Sequence, residues 1–278
     1  MRVFRAIPAI VLAITVAACS TAPTASPAPV PTTHPWTPAP GGPAQLQVYA
    51  AASLRAVLAQ VKIAFEDANP GITLDLSTDS SAALEAKIEQ GAPADVFLSA
   101  DVANPQKLAD AGLVAGQLLP LAGNLLTVIV PAGNPAVIAS PADLARPGVK
   151  VIAAAGGVPI TKYATELVAN LAALPGYPAG FASAYAANVV SREDNAGAVT
   201  AKIALGEGDA AIVYVTDAKA ADKVETVPVP DAANVPAAYG AVALARSKFA
   251  QASARFLAWL TGADGQAIFA GFGFLPPT

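Results

Sequence analysis

Two short turns hold the residues of this chain best suited to chemistry. In LQVYAAASL, residues 46–54, Leu46, Val48 and Ala50 alternate with Gln47 and Tyr49 before a helical pattern starts near Ser53. Further on, Ser77-Thr78-Asp79-Ser80-Ser81 follows an apolar strand, Ile72 to Leu76, and opens a second helix with Leu84 and Ile88 on its inner face. A strand that hands over to a helix through small hydroxyl residues makes an anion seat. Unpaired N–H groups of the first turn and a serine hydroxyl point the same way, and the helix dipole adds partial positive charge. Serine is equally a preferred helix cap, so for Ser53 and Ser81 both readings stand on the local pattern.

The composition removes most catalytic alternatives. The sole histidine is His34 and the sole cysteine is Cys19, so the stretch from Ala44 onward has neither. That excludes a Ser-His-Asp triad, a Cys-His pair and the common zinc sites there. No GxSxG or SxxK signature is present, and no cofactor is expected. Adjacent carboxylates at Glu193 and Asp194 leave an envelope enzyme with a carboxylate site as an alternative, although a pair that opens a helix needs no catalytic role. The formal charge of −4 becomes −6 without Arg2 and Arg5, which argues against nucleic acid as a partner.

The turns need a scaffold, and the apolar spacing supplies one. Leu54, Val57, Leu58, Val61 and Phe65 make one helical stripe that stops at Asn69-Pro70-Gly71. Val96-Phe97-Leu98 reads as a third strand, so the first half runs strand, helix, strand, helix, strand. That order implies a mostly parallel sheet with right-handed crossovers. Strands are expected again at 125–130, 149–153, 189–190, 210–215 and 238–244, and helices at 161–174, 196–205, 247–260 and 266–269. Two α/β units joined by strand-like crossovers fit a two-lobed clamp. Ligands in such sheets sit at the C-terminal ends of strands, where the serine turns lie.

The beginning of the chain reads differently. Met1 to Cys19 has Arg2 and Arg5, an apolar run too short to span a bilayer, and Val16-Ala17-Ala18-Cys19 at its end. Small residues before a cysteine resemble a bacterial lipoprotein box, with Cys19 as the lipid attachment site; an ordinary cleaved secretory signal is the alternative. Residues 20–43, rich in Pro, Ala and Thr, read as a disordered tether. The expected location is extracytoplasmic and lipid-anchored to the cell membrane. Mean hydropathy is +0.51, yet no later stretch is long and charge-free enough for a transmembrane helix.

AAASL at 50–54, SSAALEAKIEQGAPADVFLSAD at 80–101, AGNLLTVIVP at 122–131 and GEGDAAIVYVTDA at 206–218 resemble the periplasmic molybdate-binding proteins, the solute receptors of molybdate ABC transporters. The resemblance runs from about Gln47 to the C-terminal GFGFLPP. It implies an α/β, type II periplasmic binding protein fold: lobe 1 at 44–122 and 231–278, lobe 2 at 123–230, and ligand in the cleft between them. It implies no enzymatic activity, a monomer, and a membrane permease as partner. It also implies capture of molybdate and tungstate, with molybdenum held as oxyanion and no cation site. Ser53 and Ser81 would each give a hydroxyl and a backbone N–H, Tyr214 its phenolic O–H, and Ile160 and Asn195 backbone N–H groups. A plain core role for Tyr214 and a plain cap role for Asn195 are the alternatives. Sulfate, phosphate or another tetrahedral oxyanion is the alternative ligand.

Two positions depart from the family pattern. Thr161 stands where a glycine is common, and Asp79 stands where a small residue is usual. An acidic side chain facing the ligand would repel a dianion or accept a proton from hydrogen phosphate. Asp79 is expected instead to face solvent or to bond N–H groups of its own turn.

Overall fold

The computed structural model describes residues 43–277, so the expected leader, Cys19 and the tether up to residue 42 lie outside the described residues. Ten strands form two five-stranded sheets flanked by helices, in the two-sheet arrangement the sequence predicts. The first sheet holds β1 (Ala44–Ala51), β2 (Ile72–Asp79), β3 (Val96–Ser99), β4 (Val114–Asn124) and β10 (Ala237–Leu244), in the order β2-β1-β3-β10-β4. The second holds β5 (Leu126–Pro131), β6 (Val151–Ala154), β7 (Val189–Glu193), β8 (Ala210–Tyr214) and β9 (Val224–Val227), in the order β7-β6-β8-β5-β9. In each sheet only the fourth strand, β10 or β5, runs against the other four. Both sheets are therefore mostly parallel.

Local chemistry explains these elements. β1 alternates buried Leu46, Val48 and Ala50 with half-exposed or exposed neighbours, as a strand with one face on the core does. β8 is buried at every residue because helices cover both faces of its sheet. Helix α1 (Arg55–Ala68) buries Val57, Leu58, Val61 and Phe65, and the chain turns at Gly71 with φ +95°, which a residue without Cβ adopts freely. The remaining helices are α2 (Ser81–Glu89), α3 (Ala103–Asp110), α4 (Pro159–Ala173), α5 (Phe181–Ala187), α6 (Ala196–Ala204), α7 (Val215–Ala220), α8 (Ala250–Thr261) and α9 (Ala263–Gly271). None of the described helices is long and apolar enough to cross a membrane.

The chain passes from the first sheet to the second at Leu125, between β4 and β5, and returns between β9 and β10. The lobe limits expected at 122/123 and 230/231 fall on the last residues of β4 and within that return. Beside these crossings runs a column of edge-to-face rings. Tyr163 and Tyr214 are 6.3 Å apart between centroids, Tyr214 and Tyr239 5.7 Å, and Tyr239 and Phe274 5.6 Å. The Tyr214–Tyr239 contact links β8 of one sheet to β10 of the other, which packs the lobes together through aromatic surface.

Candidate functional site

The chain leaves β1 through Ala52-Ser53-Leu54, a single turn of 3-10 helix that runs directly into α1. No side chain caps this entry. The cap reading of Ser53 is therefore set aside: its buried hydroxyl lies 3.0 Å from the Tyr239 hydroxyl instead.

At the second turn the structure separates two adjacent serines. Ser80 is the cap of α2, its Oγ accepting the Ala83 N–H at 3.2 Å. Ser81 is the first residue of the helix and almost fully buried, and its Oγ accepts the Ala100 N–H from the loop after β3 at 3.0 Å. The accepted N–H occupies a lone pair and leaves the Ser81 proton to point elsewhere.

Three further elements converge from the second lobe. Helix α4 starts Pro159-Ile160 with no side chain capping it, as a helix beginning with proline at its first position often does. Thr161 turns its hydroxyl away, donating to the Ala155 carbonyl at 2.7 Å. Asn195 caps α6, its Oδ1 accepting the Ala198 N–H at 2.9 Å, and its amide nitrogen donates across to Asp79 Oδ1 at 3.4 Å. Tyr214 ends β8, and its buried hydroxyl has no partner among the described residues. Burial pushes that phenol well above its ordinary value, so it is a neutral donor.

Ser53, Ser81, Ile160, Asn195 and Tyr214 all line one cavity of about 10 Å³, together with Asp79 and Ser80. No lysine, arginine or histidine lines it. Asp79 behaves as its turn position predicts. Burial raises its carboxyl, but the Ser80 N–H at 2.8 Å, Lys87 at 3.1 Å and Asn195 outweigh that and hold it below the ordinary value. The Asp79 charge is spent on protein donors. The arrangement thus offers hydroxyl protons and helix N-termini, which suit an anion with no proton of its own.

Residues 46–275 match the bacterial extracellular solute-binding protein family. The chain belongs to that family. This solute-binding protein is 36% identical over 243 residues to the molybdate-binding protein ModA of Mycobacterium tuberculosis, covering 86% of its own chain and 88% of the relative. The periplasmic molybdate-binding protein of Azotobacter vinelandii superposes with a TM-score of 0.70 at 24% identity, covering 84% of this chain and 100% of that one. The sulfate-binding protein SubI of M. tuberculosis superposes with a TM-score of 0.73 at 23% identity, covering 84% and 87%. Receptors for two different oxyanions share this fold about equally, so the fold alone does not choose the anion.

Sequence reasoning missed three residues behind the cavity of this solute-binding protein: Asn124, Tyr239 and Asp217. Asn124 lies in the AGNLL block, but nothing local marks its partners. Tyr239 sits in a strand 186 positions from the serine it touches. Asp217 is buried in the first turn of α7, its Oδ2 without a partner among the described residues.

Burial pushes the Asp217 carboxyl up to about 7, opposed by a hydrogen bond from the Tyr214 backbone. The folded state therefore keeps a proton that the unfolded chain releases near 3.8. Stability from this group is complete below that value and is lost as pH rises through about 7. Thermal unfolding at about pH 5 and about pH 8 checks this. Relative to wild type, Asp217→Asn is expected to lose less stability between the two; parallel profiles would remove Asp217 from the pH dependence.

Proposed function

We propose that this protein is the extracytoplasmic receptor that captures molybdate, and with it tungstate, for an ABC importer. It acts as a monomer, held to the membrane by lipid on Cys19, and delivers the anion to the membrane permease. The observation that carries the reading is the cavity itself. It is small, lined from both lobes by Ser53, Ser81 and helix N-termini without a cationic side chain, and fitted with an unpartnered tyrosine hydroxyl. A void of that size has room for about one water. A five-atom oxyanion is larger still than one water, so the lobes, 44–122 with 231–278 against 123–230, open and close again around it.

Molybdate, tungstate and sulfate carry no proton at neutral pH, and neutral donors bind them without burying a countercharge that would itself need desolvating. Ser53, Ser81 and Tyr214 supply hydroxyl protons; Ile160 and Asn195 supply first-turn N–H groups. The molybdate-binding relative at 36% identity supports molybdate over sulfate. The carboxylate-enzyme reading finds no support: Glu193 is bound to Lys202 at 2.9 Å.

Titration calorimetry of the purified protein with molybdate, tungstate, sulfate and hydrogen phosphate tests the proposal. Molybdate and tungstate are expected to bind more than tenfold tighter than sulfate, about 1.4 kcal/mol or more. Binding of hydrogen phosphate alone would overturn the molybdate reading.

A further inference from the structure

Two buried side-chain atoms have no hydrogen-bond partner among the described residues, the Tyr214 hydroxyl and Asp217 Oδ2. Both stand where β8 hands over to α7. Tyr214 lines the cavity, and its backbone N–H bonds the Asp217 carboxyl. An anion in the cavity satisfies the tyrosine, but Asp217 does not line the cavity and keeps its unpartnered oxygen. No cation is paired with Asp217 among the described residues. Lys219 on the same helix is exposed and donates to the Gly271 carbonyl at 3.1 Å. Helix α7 packs against α6, β5, β8 and β9. On α6, Lys202 is bound to Glu193 at 2.9 Å. β5 has no ionisable side chain, and Glu225 on β9 takes the Gly133 N–H at 2.7 Å. The groups that face the carboxyl are the phenols of Tyr214 and Tyr239, both kept neutral by burial. Asp101, which also acts on Tyr214, has the same sign as Asp217.

We infer that Asp217 takes a proton from solvent when the dianion is captured, so that anion binding and protonation of this one carboxyl are coupled. This deepens the molybdate reading and rests on it. A dianion held at the Tyr214 hydroxyl and an ionised Asp217 are like charges in a buried interior, and each disfavours the other. The neutral acid removes that repulsion, so proton and anion raise each other's affinity by the same factor. The anion-bound protein then holds the proton to higher pH than the empty one. Affinity is greatest below the pH at which the empty protein gives the proton up, and falls as pH rises through about 7.

Calorimetry of molybdate binding in two buffers of different ionisation enthalpy, neither of them an oxyanion, counts the protons taken up. About half a proton per anion is expected at about pH 7.5, and affinity is expected to fall about fivefold or more from about pH 6 to about pH 8.5. Asp217→Asn keeps an acceptor for the Tyr214 N–H and cannot ionise. It is expected to bind molybdate with no proton uptake and with an affinity that is flat over the same range. Asp79→Asn removes the carboxylate that does line the cavity, and the uptake is expected to survive it, because Ser80, Lys87 and Asn195 already hold Asp79 ionised. Should Asp217→Asn not fold, Asp217→Ser, whose hydroxyl can also take the Tyr214 N–H, serves in its place. A structural role alone would move the unfolding temperature of these variants and leave the proton count as in wild type. That result, an uptake that disappears with Asp79, or a wild type that binds molybdate without uptake would overturn the role of Asp217 only. A wild type that binds no tetrahedral oxyanion would overturn the molybdate reading itself.

Discussion

Replacing Ser53 and Ser81 together by alanine will lower molybdate affinity by about 10²–10⁴-fold, and will lower the unfolding temperature as well, because the Ala100 N–H and the Tyr239 hydroxyl each lose a buried partner. Each hydroxyl gives a charge-assisted hydrogen bond, worth about 1.5–3 kcal/mol. The helices they introduce keep their starts. Helix α2 keeps its cap because that cap is Ser80, and α1 starts from a 3-10 turn that has no side-chain cap to lose. Calorimetry and thermal unfolding on the same samples separate the two readouts. Retained affinity in the double variant would move the anion site away from these turns; a double variant that no longer folds would return the serines to a structural role.

Tyr214→Phe should make the empty protein more stable and a poorer receptor. The Tyr214 hydroxyl is buried with no partner among the described residues. A polar group in that state costs about 1–3 kcal/mol, so removing it is expected to raise stability by about 1 kcal/mol while the ring keeps its contacts with Tyr163 and Tyr239. Molybdate, which would accept the missing proton, is expected to bind about ten- to a hundredfold more weakly. Opposite signs in stability and affinity are the signature of a group held unsatisfied for a ligand. If stability falls along with affinity, the hydroxyl is a structural element of the core.

Much of this was legible in the residues. The strands β1, β2, β3 and β8 announce themselves because their cores are apolar runs bounded by turn residues, and the stripe of α1 falls on the spacing read from it. β4 does not. Its sequence VAGQLLPLAGN carries Gly116 and Pro120, and its pairing with β10 slips register twice. Such residues are tolerated at a sheet edge and at bulges but read as loop. The strand expected through Val215 stops at Tyr214, because α7 takes over at the residue after the tyrosine. The serine turns were visible as strand-to-helix handovers, but which of Ser80 and Ser81 caps the helix depends on Ala100, nineteen residues away. Tyr239 and Asn124 left no trace, since a hydrogen-bond chain between distant strands has no period in the sequence. The five residues named for the site came from the family resemblance; the turn pattern alone pointed to Ser53 and Ser81 and left them ambiguous.

The cavity wall without lysine or arginine has a consequence for timing. From Ala44 onward the chain carries a formal charge of −6, and the ion it is proposed to capture carries −2. Like charges meet, so the encounter gains no long-range steering, and added salt speeds it by screening the repulsion. Arrival is then much the same for every dianion of similar size. What separates one from another is how long each remains once the lobes have shut. On the proposed reading, the receptor sorts its cargo by residence time rather than by arrival.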